Sequence, residues 1–322
     1  AVLWVGAGMW PCNLPLYPHH IKTIMERRGG GMERIDVFNC DITFLAFCPR
    51  ATIGAFHAFL AGGTLRKVTC RSRPYEKEAG SVDALAGKAL ALLVEGLEGG
   101  SNMEGAYRAA FHPFLKLPVG ARDRPKVAIF GDLYSRDNDV LNQGLEKAIE
   151  AAGGEVITTS YIEYLKGVMD PHFRKLLLDR RYGAWAKDRA AMAVVAAVEK
   201  ALSIRDGDIF GRPSSWSNPG YADKLRLFGL RVENEGECFD NVLKIFRILE
   251  EHPDVALFVQ ANPAFCCPSL VTESMSAEIE RITGVPVVTI TYDGTGAPKN
   301  DAIEPYLAFG RGRASHRAPA PP

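Results

Sequence analysis

The chain has 322 residues, 47% of them hydrophobic and 24% charged, and its 38 Lys and Arg balance its 38 Asp and Glu. That balance excludes wholesale disorder and leaves no global electrostatic case for nucleic acid or an anionic membrane as partner. No apolar run reaches the roughly 20 residues that a membrane helix needs, since Ala190–Ala197 is short and flanked by Lys187, Arg189, Glu199 and Lys200.

The length suits two compact domains of about 100–200 residues each. The start has no basic segment and no cleavage site, so a cytoplasmic protein is expected. Its seven cysteines are then expected as reduced thiols or metal ligands and not as a disulfide scaffold. No Cys-x-x-Cys occurs, which weakens zinc-ribbon and thioredoxin readings. The chain opens on Ala1 without an initiator Met, and a piece of a longer protein is expected.

In chain order, Ala1–Gly8 reads as a buried strand ending in glycines, and Pro11–Pro18 as a loop. Ile21, Ile24 and Met25 share a helical face that Gly29–Gly31 closes, and Ile35–Phe38 suits a strand. Ala51–Leu60 is helical in composition and is expected to stop at Gly62–Gly63. Ser81–Leu97 and Met103–Leu117 read as two helices, and the polar run Pro118–Pro125 as a domain boundary.

Beyond it, Lys126–Phe130 predicts a strand, and Leu141, Leu145, Ala148, Ile149 and Ala152 one face of a helix. Glu155–Thr159 predicts the next strand, Pro171–Ala201 a long solvated helix, and Arg212–Tyr221 a loop. A helix–strand–helix–strand series follows: Val242, Ile245, Phe246 and Leu249; Val255–Val259; Val271, Met275, Ile279 and Ile282; Val285–Thr291. Asp301–Phe309 suits a last helix, and the Arg-, Ala- and Pro-rich tail from Gly310 is expected to be disordered. Strands alternating with helices imply right-handed crossovers and parallel sheets. The expected fold is α/β, with two Rossmann-like domains whose mainly parallel sheets are flanked by helices. They are an N-terminal domain over 1–122, a C-terminal Rossmann-like domain over 123–310, and a tail over 311–322.

The richest stretch chemically is Ala256–Asp293, where a strand runs into Gln260-Ala261-Asn262-Pro263-Ala264-Phe265-Cys266-Cys267-Pro268 before a helix. Ligands of open parallel sheets bind beyond the carboxyl ends of strands, and a helix N-terminus adds unpaired N–H groups and positive potential. Adjacent cysteines do not readily point at one metal, so one is read as ligand and the other as packing; two buried cysteines in a tight turn are the plainer alternative. Cys12 stands evenly between ligand and core. Cys238, at a helix start, suits a ligand or a small buried residue, and Cys40, Cys48 and Cys70 suit core packing. Arg71 and Arg73 beside Tyr75-Glu76 suit a phosphate anion or internal Arg–Glu pairing. Asp293 suits a cleft acid or a loop cap, and His19-His20 a cavity lining or an exposed helix start.

Several blocks carry a resemblance. They are Asn262–Pro268, Thr272-Glu273, Gly284–Val288 and Tyr292–Thr295, together with Gly8-Met9-Trp10-Pro11-Cys12-Asn13-Leu14-Pro15-Leu16-Tyr17, Arg73-Pro74-Tyr75-Glu76, and Lys126–Gly131 with Asn142-Gln143. Their order and spacing resemble the 2-hydroxyacyl-CoA dehydratase and activase superfamily, nearest its large CoA-enzyme activase proteins. The resemblance implies a [4Fe-4S] cluster with Cys12 from a Pro-Cys block and Cys267 from a Phe-x-Cys-x-Pro-type turn as ligands. A third ligand is then expected from a Cys-Pro-Lys-type block absent from this sequence, or from Cys40, Cys48 or Cys238. It also implies low-potential electron transfer or reductive activation of an acyl-CoA, with Arg71 and Arg73 as candidate contacts to a CoA thioester. No Walker loop and no Gly-x-Gly-x-x-Gly after a strand occurs, so ATP hydrolysis is expected in an upstream activase ATPase domain or partner subunit; a homodimer is a further expected partner. The rivals are a non-catalytic scaffold of a larger activase and a plain nucleotide or sugar-phosphate binder.

Overall fold

The strand–helix alternation of the sequence folds into two parallel sheets embedded in a mostly helical chain. The structure is a computed structural model and describes residues 1–6, 16–40, 49–99, 102–117, 120, 123–202, 220–231 and 238–314. No helix among the described residues is long and apolar enough to cross a membrane.

The first sheet pairs β1 (Val2–Gly6) with β2 (Asp36–Cys40) in parallel, from Val2 opposite Asp36 to Gly6 opposite Cys40. Helix α1 (Tyr17–Arg28) makes the crossover. Gly29, Gly30 and Gly31 then take φ of 65°, 65° and 94°, a left-handed run that only glycine enters at low cost. Lys22 Nζ ties the helix to the turn beyond it, donating to Glu33 O at 2.8 Å and Ile35 O at 2.9 Å.

Helix α2 spans Pro49–Ser72 and does not stop at Gly62–Gly63. A Cβ on Gly63 would lie 2.6 Å from Ser160 Cβ, so this glycine marks a close crossing of two elements. Helices α3 (Ser81–Gly99) and α4 (Met103–Leu115) pack with α2. Leu60, Val68, Val82, Leu93, Phe111 and Phe114 are buried at the centre of this group. Full burial of such side chains contributes about 1.5–3 kcal/mol each.

The second sheet holds β3 (Lys126–Gly131), β4 (Glu155–Ile157), β5 (Val255–Pro263) and β6 (Val287–Tyr292), in the order β4-β3-β5-β6 and all parallel. Side chains alternate along each strand. Val127, Ile129, Leu257, Val259, Val288 and Ile290 face one side, where α6 (Leu145–Ala151) and α13 (Ile303–Ala314) supply Leu145, Ile149, Ile303 and Leu307. Ala128, Phe130, Phe258 and Val287 face the other, against Ile245 and Ile248 of α10 (Cys238–Glu251) and Ile279 of α12 (Ser276–Thr283). Cys70 of α2 is buried in the first of these cores, so α2 contacts both the α3–α4 pair and the sheet.

Two expected helices divide. The stretch read as one helix over Pro171–Ala201 is α7 (Tyr161–Leu178) and α8 (Tyr182–Leu202). The break falls at Arg180, φ 58°, where Arg181 N donates to Leu176 O at 2.8 Å. Helix α7 begins earlier than composition suggests because Ser160 and Glu163 form a reciprocal capping box. The Val271–Ile282 segment is α11 (Cys267–Ser274) followed by α12. At that junction Ser274 Oγ donates to Val271 O and Ser276 Oγ to Glu273 O, both at 2.7 Å, a side-chain competition that ends helices. A short α9 (Tyr221–Arg226) precedes α10, and α5 (Leu133–Asp137) follows β3. The last helix runs to Ala314; the tail at 315–322 and most of the loop read over Arg212–Tyr221 lie outside the described residues.

Candidate functional site

Strand β3 leads to β4 on one side, and the chain returns to β5 on the other, so the direction of strand addition reverses between β3 and β5. In open parallel sheets that reversal opens a crevice beyond the carboxyl ends. Gly131 ends β3 at φ 110°, and a Cβ there would lie 2.5 Å from Ala261 O and 2.8 Å from Asn262 Oδ1. Only glycine lets β3 and β5 come this close at their ends. Asp132 N donates to Ala261 O at 3.0 Å, and Asp132 Oδ1 caps α5 by accepting from Ser135 N at 2.7 Å.

Polar atoms collect here without partners. Asn262 is buried, and neither its Oδ1 nor its Nδ2 has a hydrogen bond. Gln260, on the same strand face, donates from Nε2 to Ser269 O at 2.8 Å, while its Oε1 and the Ser269 and Ser135 hydroxyls are unpaired. Arg136 is buried; Nη1 donates to Thr159 Oγ1 and Nε lies 3.4 Å from Asp137 Oδ1, but Nη2 has no acceptor. Each unsatisfied buried group costs about 1–3 kcal/mol. On α10, Lys244 Nζ meets Asp240 at 2.6 Å with both side chains buried. Burial pulls the Lys244 ammonium below its ordinary range while Asp240 pushes it back up.

The Cys-Cys turn is mounted on the same strand end. Ala264 N donates to Tyr292 O at 2.9 Å and Cys266 N to Pro263 O at 3.3 Å. Phe265 stands 80% exposed at φ 64°. Cys266 is the N-cap of α11 and half-buried, whereas Cys267 opens the helix and is exposed, with Sγ 4.0 Å from Phe265 O. Cys238 opens α10 and packs against the cluster of Leu225, Phe239, Val242 and Leu243. Cys12 and Cys48, with most of the Gly8–Tyr17 block, lie outside the described residues. Cys70 is fully buried, and burial, then Glu146, pushes its thiol well above the ordinary range.

As donors for an iron–sulfur cluster, the cysteines with described side chains, Cys70, Cys238, Cys266 and Cys267, offer one exposed thiol, Cys267, at the carboxyl end of a parallel sheet. Among the described residues no group of three or more His, Cys, Asp or Glu side chains is placed to hold a metal ion.

Arg71 and Arg73 sit among carboxylates. Arg71 Nε lies 3.8 Å from Glu155 Oε1, and Arg73 pairs with Asp83 and Glu150, each at 2.8 Å. The rest of that block is also engaged: Tyr75 donates to Glu155 at 2.7 Å, and Glu76 accepts from Gly80 N and Val82 N at the start of α3. Burial lifts the Glu150 carboxyl from 4.5 to about 7, against the pull of Arg73. Burial, then Lys126 and Arg71, lowers His252 from 6.5 to about 4. Asp293 caps its loop: Oδ1 accepts from Thr295 N and Oγ1, and Oδ2 meets Lys299 Nζ at 2.9 Å. The Thr295 hydroxyl, then Lys299, holds that carboxyl well below the usual range. Both histidines His19 and His20 are exposed on α1.

Sequence reasoning missed Arg136, the Asn262 amide and the Gln143–Asn300 clamp. Gln143, at φ 56°, donates to Ala297 O and accepts from Lys299 N, each at 2.9 Å, fixing the loop after β6. Asn300 donates to Asn142 O at 2.9 Å. The one available signal was the polar spacing of Gln260 and Asn262 in an otherwise apolar strand. No family model, curated protein or solved structure matches this chain.

Proposed function

We propose that this chain is an iron–sulfur component of a 2-hydroxyacyl-CoA dehydratase/activase-like system, serving low-potential electron transfer or reductive activation of an acyl-CoA or small substrate. The observation that carries the reading is the exposed Cys267 thiol on the first residue of α11, at the carboxyl end of β5. A cysteine exposed at that position is open to an incoming metal. A [4Fe-4S] cluster, when bound, supplies one-electron chemistry, and cysteine thiolates hold it. On this reading Cys267 is one ligand and Cys12 another, in an arrangement of two Rossmann-like halves. Asn262 and Arg136, with unpaired buried polar atoms at the same strand ends, orient the polar part of a substrate. An upstream activase ATPase domain or a partner subunit delivers the electron.

The second reading is a non-catalytic scaffold domain of a larger activase. The packing of Cys238 in an apolar cluster and the pairing of Arg71 and Arg73 with carboxylates favour it, since both are structural uses of candidate site residues. Anaerobic reconstitution of the chain with ferrous iron and sulfide separates the two. Iron and sulfide uptake, with an electron paramagnetic resonance signal on reduction, supports the first reading; no uptake leaves the scaffold.

A further inference from the structure

Helix α3 is apolar over more of its circumference than its packing uses. Val82, Ala89 and Leu93 face the core shared with α2 and α4. Away from that core Leu90 is 53% and Val94 43% exposed, with Ala84, Gly87 and Ala91 also open to solvent, and Leu92 is 38% exposed on the Lys88 flank. Apolar side chains left open together on one side of a helix mark an interaction surface. The outer side forms an open groove of about 620 Å³ lined by Gly87, Leu90, Ala91, Val94, Glu95 and Glu98.

The charges beside the groove select what covers it. At about 100° per residue, Gly87, Ala91, Val94 and Glu98 form the stripe, Leu90 lies on one flank, and Lys88 and Glu95 lie together on the other. Neither Lys88 nor Glu95 has an ion-pair partner among the described residues. If two copies of α3 cross antiparallel about a twofold axis near Ala91–Leu92, flanks of the same kind meet. Lys88 then faces Glu95 of the second copy, and Glu95 faces Lys88, so one contact makes two opposite-charge pairs. The same axis brings Leu90, on the other flank, to the Val94 edge of the facing stripe, and Gly87 and Ala91 let the helix axes approach. A parallel pairing would instead set the Lys88–Glu95 flank of one copy against the apolar Leu90 flank of the other, leaving both charges unpaired. Twofold contacts are self-complementary in this way, and opposite charges across an interface fix its register.

We infer that a second copy of this chain packs antiparallel on the outer face of α3, forming a twofold dimer through Leu90, Ala91, Val94 and the Lys88–Glu95 pairs. Sedimentation velocity of the full chain over a concentration series tests this. Wild type is expected to show a monomer–dimer equilibrium. Leu90→Asp, on an exposed position, is expected to raise the dissociation constant by at least about tenfold with unchanged far-ultraviolet circular dichroism. Lys88→Glu and Glu95→Lys are each expected to weaken the dimer, and the double variant to restore it. A wild type monomeric at every concentration would overturn the inference and assign the groove to a different partner. A dimer indifferent to Leu90→Asp, or a double variant no tighter than the singles, would overturn it equally.

Discussion

Two regions of the molecule bury polar groups, and they do it differently. Where α2 and the turn after it meet α6, α7 and β4, mostly buried charges face opposite charges: Arg66 meets Glu146, Arg73 meets Glu150 and the exposed Asp83, Lys67 meets Glu163, and Tyr75 bonds Glu155, whose Oε1 faces Arg71 Nε at 3.8 Å as an ion pair without a hydrogen bond between them. At the carboxyl ends of β3 and β5, Asn262, Gln260, Ser135, Ser269 and Arg136 keep buried atoms without partners. Matched burial fixes how elements pack. Unmatched burial costs stability, and native chains retain it where it serves something other than folding.

The largest expected effect lies between the two regions, at Gly131. Gly131→Val adds a Cβ 2.5 Å from Ala261 O in a left-handed backbone, and is expected to cost more than about 4 kcal/mol, through backbone strain and displacement of β5. Urea denaturation followed by circular dichroism measures it. At the matched junction, Glu155→Ala removes the acceptor of Tyr75 and the countercharge of Arg71. It is expected to cost about 1–3 kcal/mol, the penalty for removing the acceptor of a buried hydroxyl. At the unmatched mouth the sign reverses. Asn262→Leu replaces an unpaired buried amide by an apolar group of similar size and is expected to raise stability by about 1 kcal/mol, at the expense of ligand binding. If Asn262→Leu and Glu155→Ala both destabilise by several kcal/mol, the contrast between the regions fails.

A pH dependence acts at the same junction. Glu150 in the folded chain titrates near 7 against an ordinary 4.5. Its contribution is therefore fully present below about pH 4.5 and is lost as pH rises through about 7. His252 acts in the opposite sense: its folded value near 4 lies below the ordinary 6.5. Its contribution is present above about pH 6.5 and is lost as pH falls through about 4. Glu150→Gln is expected to flatten the decline of stability between pH 5 and 7 and leave the acid limb unchanged; melting temperature against pH reads this directly.

The same contrast explains what was legible in the sequence. Strands β3, β5 and β6 show as apolar runs because both their faces are buried. The place of Asn262–Pro268 at the end of β5 follows from the strand before it and the helix after it. The Gly62–Gly63 pair reads as a helix stop because composition carries no sign of the neighbour that needs Gly63 small. Arg73-Pro74-Tyr75-Glu76 reads equally as an anion site because its carboxylate partners, Glu150 and Glu155, lie about 80 residues away in sequence. Arg136 has no periodic cue at all, since it sits on a one-turn helix whose burial comes from elements far along the chain.

The proposed iron–sulfur reading rests on the exposed Cys267 as a ligand, while Cys238 packs against an apolar cluster. Iron content and the electron paramagnetic resonance signal after anaerobic reconstitution of Cys267→Ser and Cys238→Ser compare the two directly. Cys267→Ser is expected to lose most of the iron and the signal, while Cys238→Ser keeps both. Wild-type iron content and signal in Cys267→Ser would contradict the account.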